Sequence, residues 1–355
     1  MRSHGLMGQL STTTTIGRTG EKGRWGCPPS SPQPPPPSPT HGSGGGQLAH
    51  HGLARLGLPL LRVLREVAHQ RSFLPRVNFA SGRRWNYINL AAYVLNFIIT
   101  YASLAGLFGE TNQVLSKKYQ TLVTPAGWAF SIWGPLFIWE GVFAACQMLP
   151  RFRGSDVVHL ASPWWWGACA CQCAWTFAFA QEAILLSLLL MLGILACLTV
   201  ILVRTDRLQL PWADYLCLRA PFCLHLGWII CASAVNFNVQ FDAARASPEV
   251  LLAAAVLSFV AIVLVNAILV ITAEHPGPIP SLVAAWAFAA VASELGRGDN
   301  LRSPDRHNPH AWPDLVLGGL GSAATGAAWG AVALAAAALA LSALKAYQRS
   351  KRDVA

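Results

Sequence analysis

Long apolar runs, nearly free of charge, fill the chain between residues 86 and 344 and restrict its fold more than any other feature. Hydrophobic residues make up 54% of the sequence, whereas charged residues make up only 12%. A soluble domain carries about 25% charged residues, because its surface must be hydrated. Water therefore cannot cover this chain, and the sequence predicts an all-α, polytopic transmembrane helical bundle dissolved in lipid.

The apolar runs have the length of membrane-crossing helices. Such a helix needs about 20 mostly apolar residues, and on this basis the sequence predicts about eight crossings. The predicted ranges are 88–108, 126–149, 163–180, 183–203, 216–235, 250–273, 280–295 and 321–344. Only Gln181 and Glu182 separate the third span from the fourth, which predicts a tight helical hairpin, and the seventh span is the shortest.

Residues 1–80 have a different composition. They contain threonine, proline and glycine runs and far more arginine than acidic residues. Such a segment cannot bury a core, so we expect a disordered basic extension. The composition is typical of an organelle transit peptide, with chloroplast and mitochondrion equally open. A disordered tail without a targeting role is the alternative.

The formal net charge of +10 is distributed over loops and tails rather than over one face, which argues against nucleic-acid binding. An even number of crossings places both termini on one side of the membrane. That side carries Arg83, Arg84, Arg151, Arg153, Arg204, Arg207, Lys345, Arg349, Lys351 and Arg352. The other side carries Lys117, Lys118, Arg245, Arg297, Arg302 and Arg306. The excess predicts both termini on the cytoplasmic, stromal or matrix side.

Metal and catalytic motifs are not evident in the sequence. Cys169, Cys171 and Cys173 alternate, so on a helix Cys171 faces away from the other two and a tetrahedral metal site is not predicted. There is no set of serine, histidine and aspartate, no phosphate loop and no pair of catalytic carboxylates. The sequence therefore gives little support to an enzyme.

A block rich in tryptophan, glycine and proline opens the second span. Residues 125–134 read Pro-Ala-Gly-Trp-Ala-Phe-Ser-Ile-Trp-Gly. Trp128, Trp133 and Phe137 supply flat apolar surface on which a planar macrocycle or fused ring system would stack well. The alternative is that these aromatic residues, like many near span ends, form an interfacial belt or simply pack.

Polar residues within the spans are candidates for function, because a charge at mid-bilayer costs at least about 2.5 kcal/mol. Glu140 either pairs with a polar partner, binds a cationic or metal-bearing ligand, or lies at the interface. His225 either ligates a haem-type iron or forms a hydrogen bond within the bundle. Asn236 is either a polar contact for a ligand or an interhelical hydrogen-bond partner.

Three blocks, taken in order, resemble the tryptophan-rich sensory protein / translocator protein (TspO/MBR-related) family. They are residues 119–137, 173–192 and 220–236, and a fourth block at 282–288 is similar to the longer members of that family. The resemblance covers residues 85–295. It implies a five-helix core at 86–245 and additional transmembrane helices at 246–345. We expect residues 346–355 to form a basic C-terminal tail.

The resemblance also implies a pocket between the first five helices, beneath the first loop. The expected ligand is flat and hydrophobic, such as a porphyrin, a haem or another tetrapyrrole. A sterol is less favoured, because residues 236–245 lack the tyrosine of the cholesterol-recognition pattern. The expected ligand-binding residues are Trp128, Phe130, Trp133, Phe137, Glu140, Trp175, His225, Trp228 and Asn236.

The expected partners are the lipid bilayer and this small ligand, in a sensory or ligand-handling role. A transporter or exporter of a small hydrophobic molecule is the alternative that eight spans and Glu140 favour, and a ligand-modifying enzyme is a weaker one. Gly326 and Gly330 in the last span form a small-xxx-small pair. This pair predicts close helix packing, either within the chain or in a homodimer.

Overall fold

A computed structural model describes residues 82–303 and 309–354, all within one compact unit. Every regular element in these ranges is a helix, so the predicted all-α bundle is confirmed. The predicted disordered extension, its targeting signal and Arg306 lie outside the described residues.

Nine helices of seven residues or more follow one another in the described part of the chain. They are α1 (Gly82–Leu104), α2 (Asn112–Lys118), α3 (Trp133–Cys146), α4 (Asp156–Ala180), α5 (Ile184–Thr205), α6 (Ala220–Ala243), α7 (Pro248–Thr272), α8 (Ile279–Arg297) and α9 (Asp314–Val354). A 3₁₀ turn, Gly127–Ile132, leads into α3. A helical turn, Trp212–Asp214, and a π turn, Tyr215–Arg219, lead into α6.

Seven helical segments of the described residues are long and apolar enough to cross a membrane: α1, the 3₁₀ turn with α3, the π turn with α6, and α5, α7, α8 and α9. The remaining long helix, α4, which carries Gln172 and several tryptophans, is not among these seven segments. Its 25 residues nevertheless reach about 37 Å, which exceeds the hydrocarbon thickness of about 30 Å. Helix α4 packs on α1 and α5, and it corresponds to the predicted span at 163–180.

Some helix bounds differ from the predicted spans. Helix α1 ends at Leu104, and the following Gly106 and Gly109 have φ of +79° and +140°. A Cβ on Gly109 would lie 2.9 Å from the carbonyl oxygen of Ala180. Position 109 therefore requires glycine both for its positive φ and for this close contact.

Two other helices are longer than predicted. Helix α4 begins at Asp156, where the side chain of Ser155 accepts a hydrogen bond from the backbone N–H of Val157, and it accommodates Pro163 inside the helix. Helix α9 continues to Val354, through the residues interpreted as a tail. Helix α8 is a complete helix of 19 residues although its span was the shortest predicted.

The π turn before α6 follows from Pro221. The N–H of Ala220 bonds to the carbonyl of Tyr215, five residues earlier, so the next donor in this register would be Pro221, which has no N–H. The carbonyl of Leu216 instead accepts a hydrogen bond of 2.8 Å from the indole Nε1 of Trp139. This indole fixes the beginning of α6 against α3.

Helix α6 joins the first helices of the bundle to the last ones. It packs on α5 and α3 and, on its other side, on α7 and α8, while α9 covers α7 and α8. The approach of α6 to α8 is close, because a Cβ on Gly227 would lie 2.9 Å from Cβ of Val283 and 3.0 Å from Cα of Pro280. Glycine at position 227 therefore sets the distance between these two helices.

The loops gather at two ends of the bundle. One end, which we call the basic end, holds residues 147–155, 206–219 and 273–278 and the last turns of α9. Arg151 pairs with Asp214 across this end at 3.2 Å, and Lys345 Nζ donates to the carbonyl of Ala273 at 2.6 Å. The opposite end holds α2 with its flanking loops and the α4–α5 hairpin.

Gly326 and Gly330 of α9 do not pack against another part of the described chain. A Cβ on either glycine would have no heavy atom within 4 Å. The buried face of α9 is made instead of alanines, including Ala324, Ala331 and Ala338. Close packing through the two glycines thus stays a prediction for a homodimer.

Candidate ligand-binding site

An apolar cavity lies inside the bundle towards the end that carries α2. Helices α3, α4, α5 and α6 supply one part of its wall, α7 and α8 supply another, and α2 with the loop after it contributes the rest. Its atom-free space, including the open mouth, is about 740 Å³, but only a small part of this space is wide enough to hold a water molecule. This space is narrow between the side chains, so a large ring needs wall residues to rotate.

Aromatic rings form most of the cavity surface near α3 and α6. The ring centroids of Trp133 and Trp228 lie 6.2 Å apart at 80°, and those of Phe130 and Trp228 lie 6.1 Å apart at 82°. On α4, Trp175 and Phe179 stack at 5.2 Å with their planes 11° apart. Such rings offer both flat faces and edges to a ligand.

The 3₁₀ turn brings Phe130 to this wall. Trp133 begins α3 directly after the turn, and its N–H bonds back to the carbonyls of Phe130 and Ser131. Because a 3₁₀ turn has three residues per turn, the side chains of Phe130 and Trp133 share one side of the chain. The Trp-Gly-Pro block therefore places two of its rings on the same cavity.

Two buried polar atoms on the cavity wall have no hydrogen-bond partner within the described part of the chain. They are the indole Nε1 of Trp228 and the side-chain oxygen of Asn112. The oxygen of Asn236, by contrast, lies 3.0 Å from Ser187 Oγ and accepts a bond of 3.4 Å from Trp175 Nε1. Since buried polar groups are usually paired, the two unpaired atoms are available to a ligand that carries a complementary group.

A more polar space adjoins the cavity. It measures about 1,050 Å³ with its mouth, and Ser116, Pro125 and Phe130 line both spaces. Lys117, Gln120, Glu294 and Arg297 line only the polar one, which we call the vestibule. Phe130 and α2 thus stand between the vestibule and the apolar cavity.

Helix α2 is held in place by the tip of the α4–α5 hairpin. Lys118 Nζ lies 2.6 Å from Glu182 Oε1, and the hydroxyl of Tyr119 donates to Glu182 Oε2 at 2.5 Å. Burial, together with this hydrogen bond to Glu182, raises the pKa of Tyr119 to about 12. Glu182 itself has a positive φ of 57°, a conformation that its two contacts help to hold.

The structure brings five of the nine sequence-predicted site residues to the cavity wall. They are Phe130, Trp133, Trp175, Trp228 and Asn236. Phe137 is one turn behind the wall, where its ring stacks on Trp133 at 5.9 Å. Trp128 is 39% exposed, lines the vestibule and meets Trp286 edge-on at 4.6 Å.

The last two predicted residues, Glu140 and His225, pair with each other away from the cavity. His225 Nδ1 lies 2.7 Å from Glu140 Oε1, which also receives a bond of 3.4 Å from Trp165 Nε1. Both side chains are buried within the bundle. Glu140 Oε2 and His225 Nε2 have no hydrogen-bond partner.

The arrangement of His225 does not suit a haem ligand in the cavity. A carboxyl group on one ring nitrogen is usual for a metal-ligating histidine, whose other nitrogen faces the metal. The ring of His225, however, is 1% exposed and lies outside the cavity lining. A tetrapyrrole in the cavity would therefore be held by its faces and edges rather than by an iron–histidine bond.

The sequence interpretation missed the wall that α7 and α8 supply. Phe259 and Ile262 of α7 and Ala287, Phe288 and Val291 of α8 line the cavity. Phe288 belongs to the block at 282–288, so the resemblance to longer family members held a signal for α8. Phe259 and Ile262 are two of many apolar residues on α7, and no pattern in the sequence distinguishes them.

Comparison with known protein families gives one match. The model of the TSPO-like protein family matches residues 86–301, which is more than half of the chain. The chain belongs to the TSPO-like protein family. Searches of curated proteins and of solved structures found no match.

This TSPO-like protein is thus an integral, multi-pass membrane protein. The matched range runs from α1 to the turn after α8 and includes both helices that complete the cavity wall. Helix α9 lies beyond it.

Proposed function

We propose that this TSPO-like protein binds a flat hydrophobic ligand in the cavity and senses or delivers it. A tetrapyrrole is the favoured class, and a sterol is less favoured. The observation that carries the proposal is the convergence of Trp133, Trp175 and Trp228 from three helices on one space with an unpaired indole N–H. That N–H would donate to a carboxylate or a ring nitrogen of the ligand.

Tryptophan fluorescence tests this proposal. Protoporphyrin IX titrated into the purified full chain should quench the emission in a saturable way, because three indoles line the cavity. The variant Trp133→Leu should weaken binding by about tenfold, the usual order for a well-packed aromatic anchor. Quenching without saturation, or an unchanged affinity in Trp133→Leu, would contradict the proposal.

The matched control is Trp329→Leu. Trp329 lies on α9, is 71% exposed and is not part of the cavity lining. The Trp329→Leu substitution removes one fluorophore, as Trp133→Leu does, but leaves the cavity intact. Equal weakening in both variants would mean that porphyrin partitions onto the protein surface rather than into the cavity.

Transport is a second candidate function, which the buried pair Glu140 and His225 favours. Ionisable groups inside a membrane bundle often mark ion or proton pathways. Flux of a porphyrin across proteoliposomes, compared between the wild type and Glu140→Gln, separates transport from static binding. Flux in the wild type that is lost in the variant supports transport, and saturable binding without flux in either supports a sensor.

We further propose that the basic end faces the cytoplasmic, stromal or matrix side. The cations of residues 147–155 and 206–219 and of the last turns of α9 lie at this end, as the positive-inside rule requires. Helix α1 begins at the same end, since Asn86 Nδ2 donates to the carbonyl of Gln147 at 2.8 Å. Protease digestion of sealed vesicles, with a tag after Ala355, tests this orientation.

A further inference from the structure

Two open spaces at the basic end meet at one buried arginine. The first measures about 1,060 Å³ and lies between α5 and α7. The second measures about 930 Å³ and lies between residues 208–216, the beginning of α8 and the side of α9. Tyr215, Arg219, His275 and Gly277 line both spaces, which together we call the basic cleft.

Arg219 is the buried charge of this cleft. It is only 5% exposed, and its Nη2 lies 2.9 Å from Asp206 Oδ1. Among the residues that the structure describes, its Nε has no hydrogen-bond partner. A guanidinium carries five N–H donors, so a buried Arg219 that faces open space and leaves Nε unpaired has bonding capacity for an added acceptor.

The lining of the cleft carries two carboxylates, Asp206 and Glu274, beside its two arginines, Arg207 and Arg219. Asp206 accepts bonds from the backbone N–H groups of Glu274 at 2.6 Å and His275 at 3.3 Å in addition to its pair with Arg219. Arg207 is 3.7 Å from Glu274 Oε1. These contacts account for both carboxylates on the lining of the cleft.

Two cations of α9 border the cleft without such a carboxylate. Lys345 donates to the carbonyl of Ala273, and Arg349 donates to the carbonyl of Glu274 and to Nε2 of His275. Within the described residues, neither cation has a carboxylate at ion-pair distance. Their charges therefore remain available at the rim of the cleft.

Apolar grooves lead away from the charged centre on both sides. Leu202, Val203, Ile268 and Leu269 line the groove between α5 and α7. Leu208, Trp212, Ile279 and Leu339 line the other groove. A site with Arg219 at its centre, Lys345 and Arg349 at its rim and two apolar arms matches an anion that carries two hydrocarbon chains.

We propose that the basic cleft binds an anionic phospholipid. The phosphate lies near Arg219, with Lys345 and Arg349 at the rim, and one acyl chain lies in each groove. A basic pocket between helices is a known way for membrane proteins to recognise acidic lipid headgroups. A soluble phosphate would use the cations but would gain nothing from the grooves.

Native mass spectrometry of the full chain in detergent tests the proposal. Phosphatidylglycerol and phosphatidylcholine with identical acyl chains are titrated separately, and the lipid-bound fraction is measured. We expect phosphatidylglycerol to bind at least tenfold more tightly. Equal binding of the two lipids would overturn the proposal.

The rim cations provide variants that keep the buried Arg219–Asp206 pair intact. Each of Lys345→Gln and Arg349→Gln should weaken phosphatidylglycerol binding by about fivefold, the usual effect of one cation near a lipid headgroup. Arg349→Lys keeps the charge and should restore most of the affinity. If Arg349→Lys binds as weakly as Arg349→Gln, the role of Arg349 is structural and the proposal fails.

Arg352→Gln is the matched control, because Arg352 is exposed and lies on the same helix beyond the cleft. It should leave the affinity unchanged, and an equal loss in this variant would mean nonspecific attraction by the tail. Inorganic phosphate provides the last arm. If millimolar phosphate displaces phosphatidylglycerol, the cleft is a soluble-anion site and the lipid proposal fails.

Discussion

Two buried regions lie one turn apart on α6 and differ in what surrounds them. Around Trp228, aromatic rings enclose an open cavity, and the indole N–H has no partner. His225, by contrast, lies outside the lining of this cavity, and its ring pairs with Glu140 at 2.7 Å. Burial is nearly the same at both positions, 3% and 1% exposed. Free volume, rather than burial or polarity, therefore distinguishes the candidate ligand site from a structural contact.

Because of this difference, we expect substitutions in the two regions to have different effects. A paired polar group in the interior stabilises the bundle only while both partners are present, because either one alone would be desolvated without compensation. An aromatic wall beside a cavity contributes to packing but leaves space that a ligand can fill. Substitutions near His225 should thus affect folding, and substitutions near Trp228 should affect binding.

The largest effect is expected for His225→Ala. This change leaves Glu140 buried without its partner, which costs roughly 3–5 kcal/mol of unfolding free energy. Glu140→Gln keeps a side chain that can bond to His225 and should cost less. Unfolding in mixed detergent micelles measures both, and we expect the folded His225→Ala protein to retain the wild-type affinity for porphyrin.

An opposite result would break the comparison between the two regions. If His225→Ala unfolds like the wild type but loses porphyrin binding, the Glu140–His225 pair belongs to the ligand site. The distinction based on free volume would then be wrong.

An intermediate effect is expected for Ala232→Phe, which fills the cavity. Ala232 lies one turn from both Trp228 and Asn236 and lines the cavity between them. The added ring should lower porphyrin affinity by at least about tenfold, since it occupies the space that the ligand needs, while overpacking costs about 1–3 kcal/mol of stability. Tryptophan quenching measures the affinity, because no indole is removed.

Ala333→Phe is the control for the added ring. Ala333 is exposed on α9, so the same substitution there should change neither affinity nor stability noticeably. If Ala232→Phe binds porphyrin as tightly as this control does, the ligand does not occupy the cavity.

The smallest effect is expected for Glu182→Gln at the hairpin tip. This variant weakens the contacts that hold α2 between the vestibule and the cavity. Partly exposed ion pairs such as Lys118–Glu182 contribute about 0.2–1 kcal/mol to stability. Ligand association and dissociation should both accelerate, by up to about fivefold, with little change in the equilibrium affinity. Stopped-flow quenching measures the rates, and unchanged rates would mean that the ligand does not pass α2.

Much of the fold was predictable because lipid imposes a simple requirement. Backbone groups in the hydrocarbon must be paired within each segment, so every apolar run of sufficient length becomes a helix. The helix ends were less predictable. The end of α1 depends on Gly109 meeting Ala180, and the π turn before α6 depends on Pro221 and an indole from α3.

The candidate site was predictable only in part. Trp133, Trp175 and Trp228 stand out because aromatic residues recur in blocks that resemble a known family. No sequence pattern pairs Glu140 with His225, since 85 residues separate them. Nor does any pattern indicate that Phe259 lines the cavity.

The sequence by itself determined that this chain is a helical membrane protein of the TSPO-like type, because the length and apolarity of each run and the Trp-Gly-Pro block are local properties. Only the tertiary structure decided which faces of the helices meet. Helices such as α5 and α7 are apolar on all sides, so periodicity does not distinguish lipid-facing residues from cavity-facing ones. Which faces meet depends on the close packing of α6 against α8 at Gly227 and on the partner of each buried polar group.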